Sequence, residues 1–232
     1  MRQINGMDVL DTLEEMIDIR HTSLICVDVQ NDFCHGDGHF ARHGKPMEMI
    51  RDRLGTMVSL VAAAQRSGVP VAFIQQATLP HNQSDSPSWL RFKTRDGKSS
   101  AYTLHGSWGW RLVDGLEPAG NDWVVEKFRP DAFHGTALDL LLRARGIKST
   151  VIVGATTEGC VESTIRAASY HDYYVVVVED AVASPNADLH EGSMRLFRNR
   201  YPLACAAEVE AVWAGQARGF GVAGSERAPA DL

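Results

Sequence analysis

Cysteine is scarce in this sequence, and the four that occur are not arranged in pairs. They stand at positions 26, 34, 160 and 205, and none forms a Cys-x-x-Cys motif with another. Structural zinc sites and the disulfide frameworks of small secreted domains both need cysteines at short, regular spacings. We therefore exclude these two classes of protein and expect all four side chains to be reduced thiols.

Long apolar runs and dense basic patches are also absent from the sequence. It has no stretch of about 18 apolar residues, the length that spans a membrane, and the acidic, interrupted segment 1–21 does not fit a secretory signal. The formal charge of −6 is spread along the chain, whereas binding to phosphates needs clustered lysines and arginines. We expect a soluble, cytoplasmic protein that binds neither membranes nor nucleic acids.

Short apolar runs alternate along the chain with segments of helical period. This alternation is typical of a parallel sheet covered by helices on both faces, and 232 residues with 44% hydrophobic content suffice for one sizeable core. The predicted fold is α/β, a single-domain three-layer α/β/α architecture with a mostly parallel sheet. We divide the chain into an N-terminal arm (1–20), a main domain (21–215) and a flexible C-terminal tail (216–232).

The predicted elements follow the apolar runs and the glycine stops. Segment 77–110, between the second and third predicted strands, is rich in proline, serine, glycine and aromatic residues and is predicted to be irregular. A helix is predicted to begin at Cys160. The other predicted elements are strands 23–30, 70–76, 122–127, 149–155 and 173–184 and helices 49–68 and 137–146.

Four polar residues stand at the carboxyl ends of predicted strands, namely Asp28, Lys127, Cys160 and Asp180. The ligand site of an open parallel sheet forms beyond these ends. Asp28 lies in an apolar strand, where an unpaired carboxylate is costly, so we expect it to have a partner. The first three residues form a chemically coherent set.

Cys160 is the candidate nucleophile of this set. A thiol at a helix N-terminus lies near the positive end of the helix dipole, so we expect its pKa to fall below the ordinary value of ~8.5. Lys127 places a second positive charge beside the sulfur, and Asp28 holds the lysine and exchanges a proton. The backbone N–H groups of the turn 154–160 can hold the oxygen of a tetrahedral intermediate.

Less specific interpretations of the same residues stay open at this point. Cys160 can be a small buried hydrophobic residue, and Lys127 can be a solvated lysine at the end of a strand. The fold can serve as a non-catalytic scaffold, and Cys160 with Cys34 can have a redox role. The N-terminal arm can dock on a neighbouring subunit or pack on its own chain.

Three stretches of the sequence together resemble the isochorismatase-like cysteine hydrolase family. They are "CVDVQNDFCHGDG", "VVEKFRPDAFHGTALDLLLRARGI" and "VIVGATTEGCVESTIRAASYHDYYVVVVEDA", and the similarity extends from about Ser23 to about Trp213. The resemblance implies that Asp28, Lys127 and Cys160 hydrolyse a carbon–nitrogen amide-type bond through a thioester-like acyl-enzyme. It also implies the isochorismatase-like hydrolase fold for the main domain and a homo-oligomer, either a dimer or a tetramer.

The resemblance further implies the geometry of the turn that carries the nucleophile. A cis peptide bond not involving proline precedes this turn in the family, and the matching bond here joins Ala155 to Thr156. It directs the N–H groups of Thr156 and Cys160 at the oxyanion. Family members that act on isochorismate lack the cysteine, so its presence here predicts an amidase.

The resemblance predicts neither a metal nor a cofactor in this chain. Nicotinamidases of the family carry an Asp-x-His element and further histidines after the second strand, whereas this sequence has His81 alone in that region. The spacing of His35, His39 and His43 gives no recognised ligand set on one helix face. We predict no catalytic metal and no cofactor.

Within the family the chain looks most like the ureido-type amidases, whose substrates are small ureido or carbamoyl compounds such as ureidoacrylate or biuret. Other small amides, such as nicotinamide or maleamate, are the alternative. A planar amide that bears a carboxylate needs hydrogen-bond acceptors, an anion partner and an aromatic wall. The candidate substrate-binding residues are Asn82, Gln83, Trp89, Arg91, Phe133 and Glu158.

Overall fold

A parallel sheet forms the centre of the protein. The computed structural model describes residues 1–95, 97 and 100–219, so residues 220–232 of the predicted tail lie outside it. Within these ranges the strands are β1 (Arg2–Ile4), β2 (Met7–Val9), β3 (Thr22–Val27), β4 (Val71–Gln76), β5 (Trp123–Lys127), β6 (Ser149–Ala155), β7 (Tyr174–Ala183) and β8 (Leu203–Ala204). The last six pair in parallel in the order β5-β4-β3-β6-β7-β8. Strands β1 and β2 form a separate antiparallel hairpin.

Helices cover both faces of this sheet. They are α1 (Leu13–Met16), α2 (Asn31–Cys34), α3 (His39–Arg42), α4 (Glu48–Arg66), α5 (Pro87–Lys93), α6 (Leu138–Ala144), α7 (Glu162–Tyr170), α8 (Ala187–Arg200) and α9 (Ala206–Gly219). Helices α4 and α9 bury Met57 and Trp213 against one face, and α6, α7 and α8 bury Leu138, Ile165 and Phe197 against the other. The predicted three-layer α/β/α fold is confirmed. Among the described residues, no helix combines the length and the apolar character needed to cross a bilayer.

Several elements differ from the sequence prediction, and two of the differences lie near the edge of the sheet where Asp28 stands. The first sheet strand, β3, ends at Val27, earlier than predicted, because Asp28 has a left-handed backbone conformation (φ 53°) that an extended strand does not continue. Segment 77–110, predicted to be irregular, contains α5, so that prediction is wrong there. Ser86 caps this helix and Pro87 occupies its first turn, two start signals that the sequence carries.

The segment before β3 is bound to the last helix of the same chain. Nε1 of Trp213 donates to the carbonyl of Ile17 at 2.9 Å, and the backbone N–H of Ile19 donates to Oε1 of Gln216 at 3.1 Å. The side chains of Ile17 and Trp213 are fully buried. Residues 17–19 therefore pack on their own chain, whereas the β1–β2 hairpin is exposed along almost its whole length.

Replacing Gly154 with alanine is expected to destabilise the sheet strongly. Gly154 lies in β6 with φ 127°, and a Cβ at this position would lie 2.1 Å from the carbonyl oxygen of Val27 in β3. Because a paired strand cannot move away at low cost, the free energy of unfolding should fall by about 3 kcal/mol or more. Urea denaturation measures this loss.

Gly55→Ala in α4 is the matched control for that substitution. The added methyl group meets no atom within 4 Å, so this change should stabilise the protein by about 1 kcal/mol through helix propensity alone. A Gly154→Ala protein as stable as the wild type would contradict the close approach of β3 and β6.

Candidate active site

Three parallel strands bring the candidate triad to one edge of the sheet. Asp28 follows β3, Lys127 is the last residue of β5, and Cys160 lies in the turn after β6. Because the strands are parallel, their carboxyl ends meet at the same edge. Side chains far apart in the sequence therefore come into contact.

Lys127 and Asp28 form a buried ion pair at this edge. Nζ of Lys127 donates to Oδ2 of Asp28 at 2.8 Å, and both side chains are 0% exposed. The same Nζ donates to Oε1 of Gln76 at 2.9 Å, and the backbone N–H of Gln76 donates to Oδ1 of Asp28 at 3.0 Å. A buried ion pair needs such additional hydrogen bonds to offset the loss of hydration, so Gln76 is part of the pair.

Sequence reasoning missed two glutamines that support this pair, Gln76 and Gln30. Oε1 of Gln30 accepts the backbone N–H of Gln76 at 2.8 Å, and Nε2 of Gln30 donates to the carbonyls of Gln76 at 3.0 Å and Trp110 at 2.6 Å. Both glutamines are buried. Each is a polar residue at or just beyond the end of a buried strand, the same signal that selected Asp28.

A short π-helical turn, Thr157–Val161, carries Cys160 and continues into α7. The peptide bond between Ala155 and Thr156 is cis. The carbonyl of Thr156 accepts the N–H of Gly159 at 3.1 Å, which closes the first part of the turn. Cys160 therefore lies in the first helical turn beyond β6.

The surroundings of Cys160 raise the pKa of its thiol. Burial, followed by the carboxylate of Asp28, raises the pKa of Cys160 to about 12, and Lys127 offsets this only in part. The prediction of a lowered thiol pKa is therefore wrong, because it considered the helix dipole and Lys127 and left out desolvation. At neutral pH the thiol keeps its proton.

Asp28 is the candidate acceptor for this proton. Asp28 and Cys160 both line the cavity wall, and burial raises the pKa of Asp28 while Lys127 and Cys160 oppose the rise. Burial alone would lower the pKa of Lys127, but the charges of Asp28 and Cys160 raise it overall. The lysine therefore stays charged, and the carboxylate is the base within reach of the sulfur.

Alkylation of Cys160 by iodoacetamide should accelerate steadily with pH and should not level off near the ordinary thiol pKa. The thiolate is the reactive form, and a pKa of about 12 leaves the thiol mostly protonated throughout the accessible range. Mass spectrometry of the peptide that contains Cys160, sampled between about pH 6 and pH 10, measures the rate. A rate that levels off within the sampled range, as it does for a thiol with the ordinary pKa of about 8.5, would contradict the raised pKa of Cys160.

A cavity of about 680 Å³ opens in front of Cys160. Most of its lining residues come from two groups of chain segments, those that follow β3 and β4 and those that follow β6 and β7, and Pro130 comes from the segment after β5. The first group contributes His39, Lys45, Trp89, Lys93, Arg95 and Tyr102, and the second contributes Glu158, Glu162, Asp188, Leu189 and Ser193.

Two of the six candidate substrate-binding residues, Trp89 and Glu158, line this cavity. The ring of Trp89 stacks on Phe92 with the centroids 4.8 Å apart. One carboxylate oxygen of Glu158, Oε2, is buried and has no hydrogen-bond partner among the described residues. These two side chains offer an aromatic surface and an acceptor to a ligand.

The other four candidates do not line the cavity. Phe133 is buried beneath the surface and stacks on His171, with the ring centroids 4.9 Å apart. Arg91 is an exposed residue of α5, and Asn82 and Gln83 are exposed at the 3₁₀ turn that precedes it. Sequence position within the long segment does not reveal which side chains point inward.

Sequence reasoning also missed the contacts that hold α5 over the sheet. Nζ of Lys93 donates to Oδ2 of Asp85 at 2.9 Å and to Oγ1 of Thr78 at 3.0 Å, and it lies 4.7 Å from the ring centroid of Tyr102. The side chains of Lys93 and Asp85 are 1% and 2% exposed. No local motif marks this buried pair, since its members meet only after folding.

The remaining polar candidates from the sequence have contacts of other kinds. His39 and His43 stack on each other with the ring centroids 3.9 Å apart, and His81 is exposed. Asp180 accepts the backbone N–H of Ala206 at 2.8 Å, so it fixes the start of α9. Within the described ranges, no group of three or more His, Cys, Asp or Glu side chains is arranged to hold a metal ion.

Comparison with known proteins identifies relatives over most of the chain. A family model described as the isochorismatase domain matches residues 22–209, a range that contains all three residues of the candidate triad. Ureidoacrylate amidohydrolase RutB of Methylobacterium radiotolerans is 34% identical over 190 residues, which cover 77% of this chain and 73% of that protein.

Two solved structures show the same fold at higher than 25% identity. N-carbamoylsarcosine amidase from Thermoplasma acidophilum superimposes with a TM-score of 0.64 and 27% identity, covering 80% of this chain and 96% of that chain. Nicotinamidase PncA from Bacillus subtilis superimposes with a TM-score of 0.69 and 29% identity, covering 80% and 99%.

Proposed function

The chain belongs to the isochorismatase domain family, and on this premise we propose that it is a cysteine-dependent amidohydrolase of small ureido or carbamoyl compounds. It is a hydrolase that acts on carbon–nitrogen amide bonds other than peptide bonds. The observation that carries the proposal is the buried Lys127–Asp28 pair beside Cys160 at the wall of the cavity. A ureidoacrylate-like or biuret-like compound is the proposed substrate.

The proposed reaction begins with proton transfer from Cys160 to Asp28. Sγ forms a bond to the carbonyl carbon while the thiol proton passes to the carboxylate, and Lys127 stabilises the charges of both groups. The N–H groups of Thr156 and Cys160 hold the oxygen of the tetrahedral intermediate. Breakdown of the intermediate expels the amine, which takes its proton from Asp28, and leaves a thioester-like acyl-enzyme.

Water completes the proposed cycle. Asp28, ionised again, accepts a proton from the water molecule that attacks the acyl-enzyme, and this proton returns to the sulfur when the thioester breaks. Ammonia or carbamate is released in one of the two halves of the cycle. The thiol proton leaves with the amine and a proton from water replaces it on the sulfur, so Cys160 and Asp28 end the cycle as they began it, and the proposal assigns no chemical step to a metal or cofactor.

The lining of the cavity supports a small planar substrate with polar ends. Trp89 and Tyr102 provide aromatic surfaces, Glu158 provides an acceptor for N–H groups, and Lys45 and Arg95 provide positive charge for a carboxylate. This mixture of an aromatic wall and a few convergent polar groups is typical of small-molecule sites.

Ammonia release from a panel of amides tests the proposal. The panel contains ureidoacrylate, biuret, N-carbamoylsarcosine, nicotinamide and maleamate, each assayed with and without a chelator. We expect ammonia from at least one of the first three compounds, at a rate that the chelator does not change. Turnover of nicotinamide or maleamate alone would favour the alternative substrate class, and a protein silent on the whole panel would favour the scaffold interpretation.

We also propose that the protein is a cytoplasmic homo-oligomer, a dimer or a tetramer. Free cysteines throughout the described residues support a reducing compartment, and exposed apolar side chains such as Met7 and Tyr170 support contacts between copies. Sedimentation equilibrium measures the oligomeric state, and a monomer at all concentrations would contradict this part of the proposal.

A further inference from the structure

A chain of hydrogen bonds reaches the turn of Cys160 from the opposite helical layer. It runs from Arg53 on α4 through His190 on α8 to Thr157 in the turn. Nη1 of Arg53 lies 3.2 Å from Nε2 of His190, and Nδ1 of His190 lies 2.8 Å from Oγ1 of Thr157. His190 is 6% exposed and Thr157 is 0% exposed, so bulk water does not compete for these contacts.

Arg53 fixes the far end of this chain to the sheet. Its Nη1 also donates to the backbone carbonyls of Val182 at 2.5 Å and Glu179 at 3.1 Å. Both carbonyls belong to β7, in the part of the strand where its pairing register with β6 shifts. The guanidinium therefore has several partners that hold its position, and His190 meets a rigid group.

The chemistry of the guanidinium determines the direction of these hydrogen bonds. Arginine has N–H donors and no acceptor, so Nε2 of His190 can only accept from Arg53, sharing an Nη1 hydrogen with one of the two carbonyls. Burial, followed by the charge of Arg53, lowers the pKa of His190 to about 4, which keeps the ring neutral at neutral pH. A neutral ring whose Nε2 accepts carries its proton on Nδ1, so His190 donates to Oγ1 of Thr157.

Thr157 is well placed to transmit this contact. It directly follows Thr156, one of the two residues whose N–H groups we assign to the oxyanion, and it belongs to the same π-helical turn as Cys160. His190 itself does not line the cavity. The imidazole contacts the turn of Cys160 through its hydrogen bond to Thr157.

We propose that His190 is a positioning residue that fixes the nucleophile turn through its Nδ1–H bond to Thr157. This inference rests on the proposed function, because the turn matters only if Cys160 is the nucleophile. The bond holds the turn so that the oxyanion N–H groups and the sulfur point at the same carbonyl. Misplacement of reacting groups by about 1 Å costs on the order of 100-fold in rate.

Two substitutions of His190 distinguish the hydrogen bond of Nδ1 to Thr157 from that of Nε2 to Arg53. The side-chain amide of asparagine reaches about as far as Nδ1, and that of glutamine reaches about as far as Nε2. His190→Asn therefore keeps a donor for Thr157, whereas His190→Gln keeps a partner for Arg53.

Thr157→Val removes the acceptor with almost no change of shape, and Thr157→Ser restores it. Glu191→Ala, next to His190 on the exposed side of α8, is the matched control.

The readouts are kcat and KM on the best substrate of the amide panel, together with the melting temperature. We expect His190→Gln and Thr157→Val to lower kcat on the order of 10- to 100-fold with KM changed less than about threefold, because the oxyanion N–H groups and the sulfur act mainly in the transition state. His190→Asn and Thr157→Ser should retain most of kcat, and Glu191→Ala should retain all of it.

Equal kcat values for His190→Asn and His190→Gln would overturn the proposal, as would a loss in kcat that simply follows the melting temperature. A wild-type protein without amidase activity would instead overturn the proposed function. Alkylation of Cys160 by iodoacetamide then still tests the inference, because it needs no substrate. A rate in Thr157→Val equal to that of the wild type would show that the contact does not position the sulfur.

Discussion

Replacing Cys160 with serine is expected to reduce amide turnover by about 10⁴-fold or more, without loss of the fold. The serine hydroxyl has a much higher pKa than a thiol, and Asp28 is too weak a base to activate it. Removal of the nucleophile from a triad typically leaves only the contribution of substrate binding and the oxyanion N–H groups. Ammonia release and circular dichroism, measured on the same preparation, check both parts of this expectation.

Cys205→Ser is the control for this experiment, because Cys205 is also a partly exposed free thiol and lies outside the cavity. It should retain full activity. Full turnover in the Cys160→Ser protein would remove the basis for a covalent mechanism, and equal losses in the two variants would indicate a general sensitivity of the protein to loss of thiols.

Replacing Lys127 with methionine is expected to abolish turnover and also to lower the free energy of unfolding by about 3–5 kcal/mol. The substitution leaves the carboxylate of Asp28 fully buried without its counter-ion. An uncompensated buried charge is far more costly than the loss of a surface ion pair. Chemical denaturation at neutral pH measures the change in the free energy of unfolding.

The double variant Asp28→Asn with Lys127→Met separates stability from chemistry. It removes both charges, so it should recover much of the stability that the single substitution loses. Its turnover should stay undetectable, because neither the base nor the cation is present. A single variant as stable as the wild type would mean that Gln76 and water satisfy Asp28 without the lysine.

The sequence predicted the sheet, and it singled out the residues that meet at the edge of the sheet, because each depends on a local signal. Buried parallel strands are short apolar runs, and polar residues such as Asp28 and Lys127 stand out at their ends. The thiol pKa of Cys160 was predicted in the wrong direction because desolvation depends on everything packed around the sulfur. The cavity lining was equally hard to predict, since Lys45, Arg95 and Glu158 approach one another only through the folded chain.

The segment around α5 has a consequence for how the specificity of such a protein can change. It lies between β4 and β5 in the chain, lines the cavity and is held by its own buried pair, Lys93 with Asp85. The proposed reacting groups lie instead at strand ends and in the turn after β6. The Lys93–Asp85 pair thus stabilises the segment without using Asp28, Lys127 or Cys160. Substitutions of Trp89 or Arg95, which line the cavity from this segment, should therefore change which compounds bind without disturbing the ion pair of Lys127 and Asp28.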